Sequence, residues 1–288
     1  MTRFLSLALL CGAALAQIAG EATVEKVTGE QRFTEGPVWT QDNILVFSDT
    51  PNNRLMRWAP DQGAQVHREN LLGPAGTAVD TQGRLYVCES RARRVIRIDK
   101  RNRVEVLASQ WEGKRLNAPN DIVVRKDGHV WFTDPAFGSA NDRRDLDFWG
   151  IYHLTPKGVL ELAAKSKGRP NGVALSADGR TLFVTDSDER CIRAWDVDRS
   201  GQASRERTVV TGVPGVPGGV RVDVNGNLFV AANDVLVYSP EGRLARRVEL
   251  SERPSNLAFG DADYQTLYIT AQTSVYRVRA ESKGAVQH

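Results

Sequence analysis

Short apolar runs, each separated from the next by a polar turn and each closed by a polar residue, recur along nearly the whole chain. The copies read EGPVWTQDNILVFSDT from Glu35, AGTAVDTQGRLYVCES from Ala75 and NDIVVRKDGHVWFTDP from Asn120. They continue as NGVALSADGRTLFVTDS from Asn171, GGVRVDVNGNLFVAAN from Gly218 and NLAFGDADYQTLYITAQ from Asn256, at spacings of 40, 45, 51, 47 and 38 residues. Runs such as Leu182-Phe183-Val184 and Leu267-Tyr268-Ile269 are β-branched or aromatic and too short for helices, so each copy predicts two strands joined by a turn. Gly83, Gly128, Gly179 and Gly226 sit in those turns, where positive φ is wanted. Alternating segments follow, such as Val95-Ile96-Arg97-Ile98-Asp99, Ile192-Arg193-Ala194-Trp195-Asp196 and Val275-Tyr276-Arg277-Val278, and read as third strands. A more variable fourth strand, for example Arg207-Thr208-Val209-Val210, completes each unit at the rim. A β-rich period in the forties denotes propeller blades, so the chain is expected to be an all-β, six-bladed β-propeller over residues 17–288. The stretch Ala22 to Val27 precedes the first copy and has no blade of its own. It is expected to pair with the last blade and close the ring, leaving no long open edge.

Length and composition fit this picture. The chain has 288 residues, within the range of one closed β architecture. Its 38 Lys and Arg nearly balance 35 Asp and Glu and are scattered, which excludes the concentrated basic stripe of a nucleic-acid partner. Residues 1–16 read as a secretory leader: Arg3, an apolar stretch from Phe4 to Leu15, and the small-residue site Ala14-Leu15-Ala16. The stretch is shorter than the roughly 20 residues that span a bilayer, and Leu10 stands before Cys11 where a lipid-attachment site wants a small residue. The mature protein is thus expected to begin near Gln17, to be periplasmic or secreted, to stay off the membrane and to be a monomer. Loss of Cys11 with the leader leaves Cys88 and Cys191, expected as buried free thiols because a large propeller core needs no staple.

In a propeller the innermost strands line a common axis, so their starting residues face one another. Here these are Glu35, Ala75, Asn120, Asn171, Gly218 and Asn256: one carboxylate and three carboxamides aimed at one centre. Oxygen donors of this kind suit a hard cation such as Ca²⁺ rather than zinc or copper. Asn before Gly, as in Asn171-Gly172, is also an ordinary turn residue. The shared register of Glu35, Asn120, Asn171 and Asn256 is what turn chemistry does not require.

The segments T-E-G-P-V-W at Thr34 to Trp39, P-N-D-I-V-V at Pro119 to Val124 with W-F-T-D-P at Trp131 to Pro135, and R-P-N-G-V-A-L-S-A-D-G-R-T-L at Arg169 to Leu182 resemble the gluconolactonase, senescence-marker and luciferin-regenerating enzyme family. The resemblance implies a six-bladed propeller that binds a divalent cation, usually Ca²⁺, and hydrolyses lactones or, in squid-type relatives, organophosphorus esters. It places metal ligands at Glu35 and Asn171, with Asn120 contacting metal or substrate and Asp121 supporting it from behind; the proton acceptor in catalysis is expected to be Asp121 or a group of the substrate. Two departures stand out. The family's P-D-G aspartate, a metal ligand and candidate base, is replaced in Pro217-Gly218-Gly219. The loss takes the formal ligand charge from −2 to −1, which weakens Ca²⁺ binding. The family's substrate-clamping Arg, two residues before the P-N-D Asn, is Ala118.

Other signals add little. Asp196-Val197-Asp198-Arg199-Ser200-Gly201 starts like an EF-hand loop but has Arg207 at its twelfth position. Gly212 to Gly219 does not join a strand to a helix and is no phosphate cradle. There is no G-x-S-x-G or H-E-x-x-H, and His67, His129, His153 and His288 are far apart in sequence. The insertion from Phe137 to Trp149 is either a charged surface loop or a lid. In the second case Phe137 and Trp149 join Asn120 and Asn256 in facing the substrate. The expected function is cation-dependent hydrolysis of a lactone or related ester. The alternative is a non-catalytic exported propeller that binds a small ligand or a protein, because fold alone does not fix function.

Overall fold

Each repeat folds as a four-stranded antiparallel sheet whose first strand lies innermost. These inner strands are Thr34–Trp39, Pro74–Val79, Ile122–Val124, Pro170–Leu175, Val220–Val222 and Pro254–Gly260. They are termed blades 1 to 6 in that order. The structure, a computed structural model, describes residues 23–288; the leader expected over residues 1–16 lies outside the described residues. The six sheets form the propeller that the repeats predict. Five of them run inside to outside in chain order, and the sixth takes its outermost strand from the N-terminal segment. That segment, Glu25–Thr28, pairs antiparallel with Ser274–Arg279, as expected for ring closure.

Burial falls from the axis outward. The inner strand Pro74–Val79 is buried throughout, whereas the outer strand Val104–Ala108 of the same blade is mostly exposed. The reason is geometric, since an inner strand has a neighbouring blade against both faces and an outer strand meets water. The core accordingly lies between blades. Tyr86 and Cys88 of blade 2 pack with Phe132 and Tyr152 of blade 3. At the closing seam Trp39, Phe47 and Trp58 of blade 1 pack with Tyr268 and Val275 of blade 6. Trp39 stacks on Tyr268 with ring centroids 5.2 Å apart and planes inclined by 12°. Backbone bonds reinforce this seam, the Thr34 amide donating to the Gln272 carbonyl at 2.7 Å. Cys88 and Cys191 are both free and buried, as expected.

Blades 3 and 4 share a buried polar clasp. His129 Nδ1 and His153 Nε2 stand 2.7 Å apart, and His153 Nδ1 lies 3.0 Å from Glu161 Oε2. Gln202, from the loop between the outer strands of blade 4, donates to the same Glu161 oxygen at 2.7 Å. Trp131 stacks on His153 at 4.9 Å. Gly201 is required here, because a Cβ on it would lie 2.3 Å from the His153 ring. Burial holds both imidazoles below the ordinary His range, opposed by Glu161 at His153 and by Asp127 at His129.

Two outcomes are expected. Trp39→Ala should cost about 3–5 kcal/mol in urea unfolding, because it empties the closing seam of one of its two indole rings. The histidines have folded pKa values below the unfolded value of about 6.5, so their contribution is complete above that pH and is lost as pH falls below it. The difference in melting temperature between the natural protein and His153→Gln should therefore shrink, or change sign, from pH 7.5 to pH 5.

Candidate functional site

At the top of each blade the inner strand carries a bulge, in which two consecutive residues oppose one on the second strand. In blade 3 the Asn120 amide donates to the Thr133 carbonyl at 2.9 Å and the Thr133 amide donates to Asp121 O at 3.0 Å. Gly218 and Gly219 oppose Ala231 in the same way, at 2.7 and 2.9 Å. Each of several inner strands also bonds to the inner strand of the next blade. Gly76 N donates to Asn120 O at 2.6 Å, Gly172 N to Gly218 O at 3.1 Å, and Gly219 N to Ser255 O at 2.9 Å. Two tiers result: an upper one of Glu35, Ala75, Asn120, Asn171, Gly218 and Ser255, and a lower one of Gly36, Gly76, Asp121, Gly172, Gly219 and Asn256.

The register expected for Asn256 is thereby corrected by one residue. Asn256 opposes Thr270 directly, and Ser255 takes the place matching Asn171. Sequence spacing misleads because Asn256 and Asn171 both precede a threonine by the same interval, whereas the turn after Phe259 holds one residue more than the turn after Leu175. Asn256 still reaches the site. It is fully buried, and its Nδ2 donates to Glu35 Oε2 at 3.0 Å.

Glu35 and the two upper asparagines are positioned by short polar contacts. The Gly36 amide donates to Glu35 Oε2 at 2.7 Å. Asn120 Nδ2 donates to Asn171 Oδ1 at 2.8 Å, and Asn171 Nδ2 donates to Ser187 Oγ at 3.1 Å. Ser187 in turn donates to the Pro217 carbonyl at 2.9 Å. Asp121 points from the lower tier across the axis. Its Oδ2 accepts from the Val173 amide at 3.1 Å and from Arg221 Nη1 at 3.3 Å. Its Oδ1 is buried with no hydrogen-bond partner among the described residues. Burial and the nearby Asp121 charge push the Glu35 pKa up to about 7, against the pull of Asn256, Gly36 and Arg221.

The remaining expected residues fall in two places. Phe137 lies beside the segment entering blade 4, with the Arg169 guanidinium 5.1 Å from its ring centre. Trp149 heads the third strand of blade 3, further from the axis, and is covered by Arg144 at 5.1 Å. The insertion between them contains a 3-10 turn, Gly138–Arg143, and is tied to blade 2 where Arg93 bonds Arg143 O at 3.2 Å and Asp145 at 3.4 Å. Sequence reasoning missed Arg221, Ser187 and Asp134. Asp134 fixes the approach to Asn120, accepting from the Asn117 and Ala118 amides at 2.7 and 2.8 Å. Its signal was visible as the acid that ends the second strand of several repeats.

The donor set fits a hard cation. Both protein donors to Glu35 fall on Oε2, and the orphaned Asp121 Oδ1 is a buried oxygen that lacks a positive partner. Among the described residues no three His, Cys, Asp or Glu side chains cluster as metal ligands. A cation here would therefore rest on Glu35 and carboxamide oxygens, with Asn120 and Asn171 turning their amide–amide bond toward it. Nothing acidic replaces the missing aspartate. A Cβ on Gly218 would lie 2.5 Å from Ser255 O, so the backbone as it stands has no room for one.

The fold and site define a six-bladed propeller with carboxylate and carboxamide oxygens gathered round one end of its axis. The chain belongs to the SMP-30/Gluconolactonase/LRE-like region family, which matches residues 33–273. It is 32% identical to the gluconolactonase of Zymomonas mobilis, over 91% of this chain and 82% of that protein. It is 27% identical to the pentonolactonase XacC of Haloferax volcanii, over 83% of this chain and 81% of that one. A solved gluconolactonase from Xanthomonas campestris superposes with a TM-score of 0.84 at 31% identity, covering 90% of each chain.

Glu35 titrates near 7 in the folded chain against about 4.5 in a free peptide. Its contribution to stability is thus complete below the lower value and is lost as pH rises through the upper one. In chelator, Glu35→Gln should melt higher than the natural protein at pH 8, with the difference vanishing near pH 4.5.

Proposed function

We propose that this chain is a cation-dependent lactonase. The support is the row of polar contacts that the inner strands make round the axis, Asn120 to Asn171 and Asn256 to Glu35, in a chain about a third identical to gluconolactonases. Glu35, Asn120 and Asn171 hold a divalent cation, Ca²⁺ being the best match to all-oxygen donors. Such a cation, when bound, supplies Lewis-acid polarisation of the lactone carbonyl. The chain's own residues do the rest. The carboxamides of Asn120 and Asn171 orient the ester group, and the closed axis beneath keeps bulk water to one side. Water attacks the carbonyl carbon, the ring C–O bond breaks, and the ring oxygen leaves as a hydroxyl after receiving the proton that the attacking water passed to Asp121. Asp121, anchored by Val173 and Arg221 with Oδ1 unclaimed, takes up the proton released by the water. Gly218 favours a second reading, in which the protein binds a lactone-like ligand without turning it over.

A panel of lactones assayed by proton release tests the proposal. The natural protein should open at least one lactone, stop in chelator and recover with Ca²⁺. Asp121→Asn should lower kcat by about 10²–10⁴-fold at a similar KM, and Glu35→Gln should weaken the Ca²⁺ response. Binding without turnover in the presence of Ca²⁺ would select the second reading.

A further inference from the structure

The two upper-tier carboxamides are oriented by a single hydroxyl. Ser187 Oγ lies 2.9 Å from the Pro217 carbonyl, which can only accept, so the one hydroxyl proton goes there. Ser187 is buried and has only lone pairs left to offer Asn171 Nδ2, 3.1 Å away. The nitrogen of the Asn171 carboxamide is therefore the end drawn to Ser187, and Oδ1 is the end turned to Asn120. Asn120 must then present Nδ2, at 2.8 Å, which leaves its Oδ1 as the end that no protein donor claims among the described residues. A carboxamide could exchange its oxygen and nitrogen on shape alone, and the fixed acceptor at Pro217 removes that freedom from both.

The repeat shows why so much rests on Ser187. Ser48, Thr133 and Thr185 occupy one register of blades 1, 3 and 4, each bonding a carbonyl of the next blade. Two residues further on stand Thr50, Pro135 and Ser187. Thr50 donates to the Pro74 carbonyl at 2.6 Å, just as Ser187 donates to Pro217. Pro135 has no polar side-chain atom, so blade 3 has no such hydroxyl of its own. Asn120 is held instead from blade 4, through Asn171. We propose that Ser187 is a positioning residue for the cation site: it sets the direction of both carboxamides and so keeps the Asn171 and Asn120 oxygens available to a cation. This rests on the cation-dependent reading of the same site and extends it to a hydroxyl outside the donor set.

The test sets Ser187→Ala against Thr185→Val, which removes a hydroxyl that bridges the same two blades without touching a carboxamide. In calorimetry the Ca²⁺ dissociation constant should rise about 10-fold or more in Ser187→Ala and stay within about 3-fold in Thr185→Val. NMR of the side-chain amides in chelator gives a readout independent of metal. The Asn120 Nδ2 resonances, one carboxamide removed from the substitution, should move toward those of a free amide in Ser187→Ala and hold in Thr185→Val. An unchanged Ca²⁺ constant in Ser187→Ala, an equal loss in both variants, or Asn120 resonances unmoved in Ser187→Ala would overturn the inference. If the natural protein binds no Ca²⁺, the cation reading fails by itself, and the Asn120 resonances decide whether Ser187 directs the carboxamides.

Discussion

The structure depends on how closely six inner strands can approach one axis. Gly36 has φ of 47°, and a Cβ on it would lie 2.1 Å from the Ala75 carbonyl. A Cβ on Gly172 would lie 2.6 Å from Gly218 O. No side chain shifts far enough to relieve contacts with backbone, so four of the six lower-tier positions are glycine. The amides of Gly76, Gly172 and Gly219 bond to carbonyls of the next blade, the Gly36 amide bonds to the Glu35 carboxylate, and that lattice fixes the upper tier in height and direction. The functional residues are therefore consequences of the closure. Where a side chain does occur in the lower tier, at Asp121 and Asn256, it has no free volume except toward the axis.

The second strands supply what the tight axis cannot. Hydroxyls at one register bond carbonyls of the neighbouring inner strand: Ser48 to Ala75, Thr133 to Asn171 and Thr185 to Gly218, each at 2.6 Å. One residue later an acid accepts the backbone amides that lead into the inner strand. Asp49 accepts from Arg32, Glu89 from Leu72, Asp134 from Asn117 and Ala118, and Asp186 from Gly168. Arg54, Arg94 and Arg193 pair with Asp49, Glu89 and Asp186. Asp134 has only the more distant Arg93, and burial pushes its pKa up to about 7. The latch without a close arginine partner is thus the one behind Asn120 and Asp121, the pair closest to the proposed chemistry.

Much of this was legible in the sequence because it repeats. Turn glycines, apolar runs and polar strand ends at regular intervals define blades, and the N-terminal strand without a blade requires a partner. Glu35, Asn120 and Asn171 could be placed for the same reason, each preceding a recognisable hairpin by a fixed count. Asn256 could not, because a one-residue longer turn shifts the strand behind it while leaving the spacing to Thr270 unchanged. Arg221 was invisible for another reason. It belongs to an alternating strand whose side chains point by turns to core and axis, and nothing local tells which arginine lies opposite Asp121. The His129 and His153 contact likewise joins residues that repeat logic does not align, since only blade 3 carries them.

Blade 5 is where the repeat lapses, and its lapses are correlated. Gly218 stands in place of a carboxylate, Ala231 in place of the hydroxyl, and Ala232 in place of the latching acid. The same blade contributes Arg221, whose guanidinium meets Asp121. An aspartate at Gly218 would have put three carboxylates round a narrow axis, which only a firmly bound cation could tolerate. With glycine there and Arg221 paired to Asp121, Glu35 is the one upper-tier acid, and it can protonate near neutrality when no cation is present. The axis is then self-consistent without metal. A glycine at 218 and an arginine beside Asp121 act in the same direction: both lower the electrostatic cost of gathering Glu35 and Asp121 round one axis.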